Sequence, residues 1–188
     1  MSPIIPLADD AIPAATGTLL GGIKKQMGML PNFFRVLANS PAALKGHLGL
    51  SGSLGGGTLD RKTRERIALA MAEFNGCDYC LSVHTDLARH VARLDDSEIT
   101  ANRNGASNDI KADAAVRFAV AVARERGHVG KAQLDALIEA GYGAGQVIEI
   151  VQHVALNTFT NYLNEIAATP IDFPVVRSGT ATAAAARA

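Results

Sequence analysis

Helical periodicity with no sustained two-residue alternation limits what this chain can become. Apolar residues recur at three- and four-residue intervals along most of its length, and no stretch alternates branched or aromatic residues with polar ones between turn signals. No tandem repeat at the roughly 20 to 50 residue period of solenoids is present either. The expectation is an all-α, single-domain helical bundle. At 188 residues with 48% hydrophobic content, the chain is long enough to bury a core of its own.

Proline and glycine divide the pattern. An extended arm over 1–15 carries three prolines, and helices follow at about 16–27, 31–38, 41–53, 58–74, 77–92, 96–102, 109–126, 131–140 and 144–168. Pro31 and Ser40-Pro41 read as helix starts, because the N–H that proline lacks is unpaired in a first turn anyway. Gly28, Gly55-Gly56-Gly57, Asn75-Gly76 and Gly127 read as stops. The helical domain is expected over 16–175, with 176–188 a weakly ordered, Ala-rich extension.

Basic and acidic residues number 18 each and are spread along the chain, so the formal charge is zero and no electrostatic footprint for nucleic acid or anionic lipid is present. The first ten residues lack the basic and apolar regions of a secretory signal, and no apolar run approaches the roughly 20 residues of a membrane span. A cytoplasmic location is expected.

The two cysteines, Cys77 and Cys80, would close a disulfide loop of only four residues. On chain-entropy grounds such a loop is worth roughly 2 kcal/mol, against about 5 for a 100-residue loop, so the pair suits redox chemistry better than architecture. A helix starting after Gly76 points its unpaired N–H groups and positive dipole end at this CxxC, which favours thiolate. His84 follows Cys80 by one turn on the same face and is placed to handle its proton. Buried cysteine can also serve simply as a small hydrophobe, but three such residues in register favour a reaction centre.

Cys77, Cys80 and His84 could supply three zinc ligands, yet a complete site would need Glu65 or His153 brought in by folding, and no metal or cofactor is expected. Spacing alone leaves Glu65 on a charged surface segment, Arg64-Glu65-Arg66. On the last helix, His153, Asn157, Asn161 and Asn164 form a polar stripe that suits either a pocket wall or an ordinary hydrated face, and no catalytic role is assigned to it.

Three segments together, Thr63-Arg64-Glu65-Arg66-Ile67-Ala68-Leu69-Ala70, Asn75-Gly76-Cys77-Asp78-Tyr79-Cys80 and His84-Thr85, resemble the core of the alkylhydroperoxidase D-like (AhpD-like) branch of the carboxymuconolactone decarboxylase family. Gly28 to Phe33, Ser40-Pro41, Asn157 to Asn161 and Ile171-Asp172-Phe173-Pro174 extend the resemblance to its peroxidase-related subgroup. The resemblance implies an all-helical protein that assembles as a trimer or hexamer. It also implies a peroxiredoxin-like peroxidase in which Cys80 attacks, Cys77 resolves, and Glu65 with His84 relays the proton.

The expected substrate is therefore a hydroperoxide, reduced through a dithiol–disulfide cycle that a protein or small-thiol reductant resets. Lactone decarboxylation, the reaction that names the family, uses no cysteine pair. The alternative from another class is a dithiol sensor or disulfide-exchange protein without efficient peroxide turnover. Members best known as peroxidases can carry a histidine between the cysteines, where this chain has Asp78-Tyr79. Asp78 is expected to raise a neighbouring thiol pKa and slow peroxide turnover, while Tyr79 is placed to donate a hydrogen bond.

Overall fold

A computed structural model of the chain describes residues 4–179. Among them lie nine α-helices and no strand: α1 (Ala14–Met27), α2 (Asn32–Leu37), α3 (Pro41–Gly55), α4 (Arg61–Phe74), α5 (Asp78–His90), α6 (Asp96–Arg103), α7 (Ile110–Arg124), α8 (Lys131–Glu139) and α9 (Ala144–Ala167). The expected all-α architecture is the observed one, and most boundaries agree within two residues because local signals set them.

Helix starts follow capping chemistry. Ser40, Asp60, Asp95 and Asp109 each accept the N–H three residues on, at 3.2, 3.0, 2.8 and 3.0 Å, a bond worth about 1 kcal/mol at an N-cap. Gln133 and Gln146 reach back to the N–H of Gly130 and Gly143 in the same spirit. α4 starts at Arg61 rather than at the expected 58, because Asp60 takes the cap and also holds the Thr63 hydroxyl at 2.7 Å.

α4 is the centre of the fold, and α5, α6, α7 and α9 all pack on it. One apolar cluster joins Leu20, Phe33, Leu37, Leu44, Leu69 and Leu81 with both cysteines. A second joins Ile67 and Met71 of α4 to Phe118 and Val122 of α7, Leu137 of α8, and Ile150 and Val154 of α9. Ala115 and Ala119 of α7 belong to it and are fully buried, small side chains that suit close packing against α4.

The segment Arg64-Glu65-Arg66, expected on the surface, is only partly solvated, whereas Arg61 and Lys62 before it are exposed. Arg66 is buried and donates to Glu98 Oε1 at 2.6 Å, while Arg64 Nη1 donates to the Leu54 and Gly55 carbonyls at the end of α3. Glu98 also accepts from Asn102, Ser107 and the Asn108 N–H, so the buried carboxylate is held by four donors.

Two end segments bind the bundle. Residues 4–13 run extended with one 3-10 turn at Asp9–Ala11 and are pinned to α2, with Leu7 and Asp9 on Arg35 and Ile5 on Asn39. After α9, residues 170–179 cross the start of α5. Asp172 accepts the Asn32 N–H and the Tyr79 hydroxyl, Ser82 accepts the Val176 N–H, and Asp78 binds Arg177 and the Ser178 N–H. The expected Ala-rich extension lies for the most part outside the described residues.

Candidate active site

The turn between α4 and α5 sets the thiols in place. Gly76 takes φ 72°, a left-handed conformation that suits glycine, and ends α4. Cys77 then becomes the N-cap of α5, its sulfur accepting the Cys80 N–H at 3.4 Å, and Cys80 follows within the first turn. Both sulfurs are reduced, and both residues are buried, at 0% and 4% exposure.

The two thiols have different electrostatic fates. The Cys77 thiol donates to the Cys80 sulfur and brings the Cys80 pKa down to about 7, overcoming burial with help from Asn161, the His84 charge and Asn164. That same bond to Cys80, together with burial, pushes the Cys77 thiol far up. One proton is thus held on Cys77, and Cys80 is the sulfur poised as thiolate.

Asn164 Nδ2 on α9 lies 3.3 Å from Cys80 Sγ. Asn161 Oδ1 accepts from Asn75 Nδ2 at 2.8 Å, which ties α9 to the turn before Cys77. The polar stripe on α9 is therefore not a hydrated face: His153, Asn157, Asn161 and Asn164 are all at most 6% exposed. Of the residues left unassigned by sequence, Asn161 and Asn164 both act on the Cys80 thiol.

Glu65, left on the surface by spacing, is brought to the site. Its Oε2 lies 2.8 Å from His84 Nδ1, with the side chains 17% and 22% exposed. Burial works against the imidazolium, yet the Glu65 carboxylate and the Cys80 anion outweigh it and raise the His84 pKa. With Nδ1 engaged by Glu65, Nε2 is the ring nitrogen left to exchange a proton elsewhere. No direct His84–Cys80 hydrogen bond forms among the described residues; the two interact through charge.

Asp78, between the cysteines, has partners of its own. Arg177 Nη1 holds its Oδ2 at 2.7 Å and the Ser178 N–H its Oδ1 at 2.8 Å, so a neighbouring cation meets the charge that the CxxC was expected to feel. Tyr79 does donate, to Asp172 Oδ1 at 2.9 Å, and its oxygen accepts the Phe33 N–H at 3.1 Å.

Two cavities meet at His84. A cleft of about 810 Å³ reaches Glu65, His84 and His153 from the side of Arg61 and Arg64. A chamber of about 310 Å³, walled by Phe33, Phe34, Tyr79, Val83 and Leu156, holds Cys80 and His84. No group of three or more His, Cys, Asp or Glu side chains among the described residues is arranged to hold a metal ion. No helix among them is long and apolar enough to cross a membrane.

Residues 41–125, from the start of α3 to the end of α7, match the family model described as carboxymuconolactone decarboxylase family. The matched span holds the CxxC turn and His84. Solved structures of AhpD-like proteins share the fold of the chain. A peroxidase-related protein with an alkylhydroperoxidase AhpD core from Ralstonia eutropha JMP134 superposes with a TM-score of 0.79 at 22% identity, covering 92% of this chain and 94% of that one. A second peroxidase-related protein, from Silicibacter sp. TM1040, gives 0.78 at 21% identity over 89% and 92%. The debrominase Bmp8, in a cysteine-to-alanine form bound to 2,3,4-tribromopyrrole, gives 0.77 at 20% identity over 100% and 97%. No curated protein matches the chain in sequence.

Proposed function

We propose that the protein is a thiol-dependent peroxidase that reduces hydroperoxides through a Cys77–Cys80 dithiol–disulfide cycle. The observation that carries this reading is the asymmetric thiol pair: Cys80 down to about 7 and Cys77 pushed up, beside the 2.8 Å Glu65–His84 pair.

In the first step the Cys80 thiolate attacks one peroxide oxygen as the O–O bond breaks. Cys80 becomes a sulfenic acid, and the alkoxide leaves with a proton from His84 as an alcohol. Glu65 holds His84 through Nδ1 and stabilises its cation, so the proton is delivered from Nε2. The Cys77 sulfur then displaces water from the sulfenic acid and closes the disulfide. The Cys77 proton balances the departing hydroxide. A dithiol, either a small thiol pair or a partner protein, returns both sulfurs to the reduced state. Overall, one hydroperoxide and one dithiol give one alcohol, one water and one disulfide.

The chamber that holds Cys80 offers a peroxide a way to an otherwise buried sulfur, which supports this reading. Assembly as a trimer or hexamer belongs to the same reading, and the exposed apolar residues Ile148, Val151, Phe159, Tyr162 and Ile166 on α9 support it. The decisive experiment adds one equivalent of hydroperoxide to reduced protein and counts thiols. Loss of both thiols within minutes, abolished in Cys80→Ser, is expected; full retention of both overturns the proposal.

A further inference from the structure

The cleft beside the thiol chamber carries two cations that no carboxylate of the described chain neutralises. Arg61 and Arg64 stand one turn apart on α4, and both line the cleft with Glu65 and Ala68. Arg61 is exposed and has no hydrogen bond or ion pair among the described residues. Arg64 donates from Nη1 to the Leu54 and Gly55 carbonyls, which orients the guanidinium without cancelling its charge, and its other nitrogens stay open to solvent. Both lie at the start of α4, the end of a helix where the dipole disfavours cations, so the helix itself does not call for them.

Three carboxylates also line the cleft, and none pairs with either arginine. Glu65 is held by His84, Asp172 by the Asn32 N–H and the Tyr79 hydroxyl, and Asp86 lies 3.6 Å from His90 Nε2. Most of the remaining wall is apolar, with Met27, Leu87, Val91, Leu156 and Phe173. Met27, Leu87 and Leu156 line the Cys80 chamber as well, together with His84, so one molecule can lie across both cavities. Arg61 precedes Glu65 by about 6 Å of helix axis, and Glu65 holds His84. An anion at the arginines and a group reacting at Cys80 are therefore the two ends of a molecule with hydrocarbon between them. Hydrogen peroxide uses neither the hydrocarbon wall nor the cations.

We propose that the cleft binds a carboxylic acid with an apolar body, Arg61 and Arg64 holding the carboxylate, and that the substrate is the hydroperoxide of such an acid. The second half rests on the thiol-peroxidase reading above; recognition of the carboxylate and its chain does not. Reduction by the steps already described turns the hydroperoxy acid into the hydroxy acid and leaves the carboxylate untouched. Two guanidinium groups, one of them fixed by carbonyls, suit a carboxylate through charge-assisted hydrogen bonds.

The test uses the reduced protein without any peroxide. Calorimetric titration at low ionic strength compares octanoate with 1-octanol, which share a chain and differ in the charged head. Octanoate is expected to bind about tenfold tighter, and added salt to shrink that advantage, since an open ion pair is screened. Arg61→Gln, a change at an exposed side chain without partners, should keep the octanol affinity and lose most of the preference. Bound octanoate should also slow iodoacetamide alkylation of Cys80, whereas acetate should not. Equal affinities in the wild-type protein, no binding of either compound, an undiminished preference in Arg61→Gln, or octanoate that binds without shielding Cys80 each overturn the proposal. Because the affinities involve no thiol chemistry, an octanoate preference with thiols inert to peroxide would sink the peroxidase reading alone. Peroxide turnover with equal binding would sink the carboxylate assignment alone.

Discussion

Glu65 Oε2 and His84 Nδ1 meet at 2.8 Å and join α4 to α5 beside the Cys80 sulfur. Nineteen residues separate the pair in sequence, and the contact exists only because α4 and α5 pack together with both side chains turned to the same side. It fixes the orientation of a histidine one turn from a cysteine and favours its charged form.

Glu65→Gln keeps a hydrogen-bonding group and removes the charge. The raised His84 pKa should fall, as read by NMR titration of the ring, and peroxide-dependent thiol loss should slow by about 10². Stability follows the same linkage. A raised histidine pKa stabilises the fold below the unfolded value of 6.5 and loses that contribution as pH rises through the folded pKa. The variant should therefore lose stability mainly below pH 6.5. An unmoved His84 titration contradicts the pairing.

Cys80 should alkylate with iodoacetamide along a curve whose midpoint lies near pH 7, against 9 for an unperturbed thiol. Asn164→Leu removes the amide 3.3 Å from the sulfur and should move the midpoint upward. A depressed pKa contributes stability above the unfolded value, and that contribution is lost as pH falls through about 7. Urea unfolding should accordingly show wild type gaining on Cys80→Ser between pH 7 and 9.

Asp78→Asn should leave the Cys80 midpoint where it is, because Arg177 and the Ser178 N–H already hold the carboxylate. The same alkylation curve measures it. A clear downward shift in the variant would restore the like-charge effect expected from sequence.

Glu98→Ala should destabilise the fold by about 3–5 kcal/mol, since it leaves the buried Arg66 guanidinium without its counter-charge. Burial opposes the Glu98 carboxylate, but Ser107, Asn102, Asn108 and Arg66 prevail and bring its pKa down to about 2. That stabilisation is present above the model-compound value of 4.5 and is lost as pH falls through about 2. Acid denaturation midpoints of wild type and variant report it, and coincident midpoints would contradict the network.

Tyr79→Phe should leave the Phe33 N–H without its acceptor and free Asp172, at a cost of about 1–3 kcal/mol. Hydrogen exchange at Phe33 and Phe34 should accelerate selectively, since the hydroxyl ties α2 and the segment after α9 to α5.

Much of the fold could be read directly. Ser40-Pro41, the stop at Gly76 and the three- to four-residue apolar spacing act within one or two turns, so the α3 start and the α4–α5 break needed no tertiary information. The placement of Cys77 and Cys80 at a helix start, with His84 one turn on, was local in the same sense. Glu65 drew attention only through the family resemblance.

Sequence by itself therefore determined that the chain is all-helical and that two thiols and a histidine share the start of one helix, because capping, periodicity and helix geometry act over a few residues. Only the tertiary structure decided which groups face them. Asn164 reaches Cys80 from 84 residues away, Arg177 neutralises Asp78 from 99 residues away, and Arg66 is buried against Glu98 instead of solvated. Those outcomes depend on how whole helices pack, and a polar residue on a helix carries no local mark of whether water or another helix will cover it.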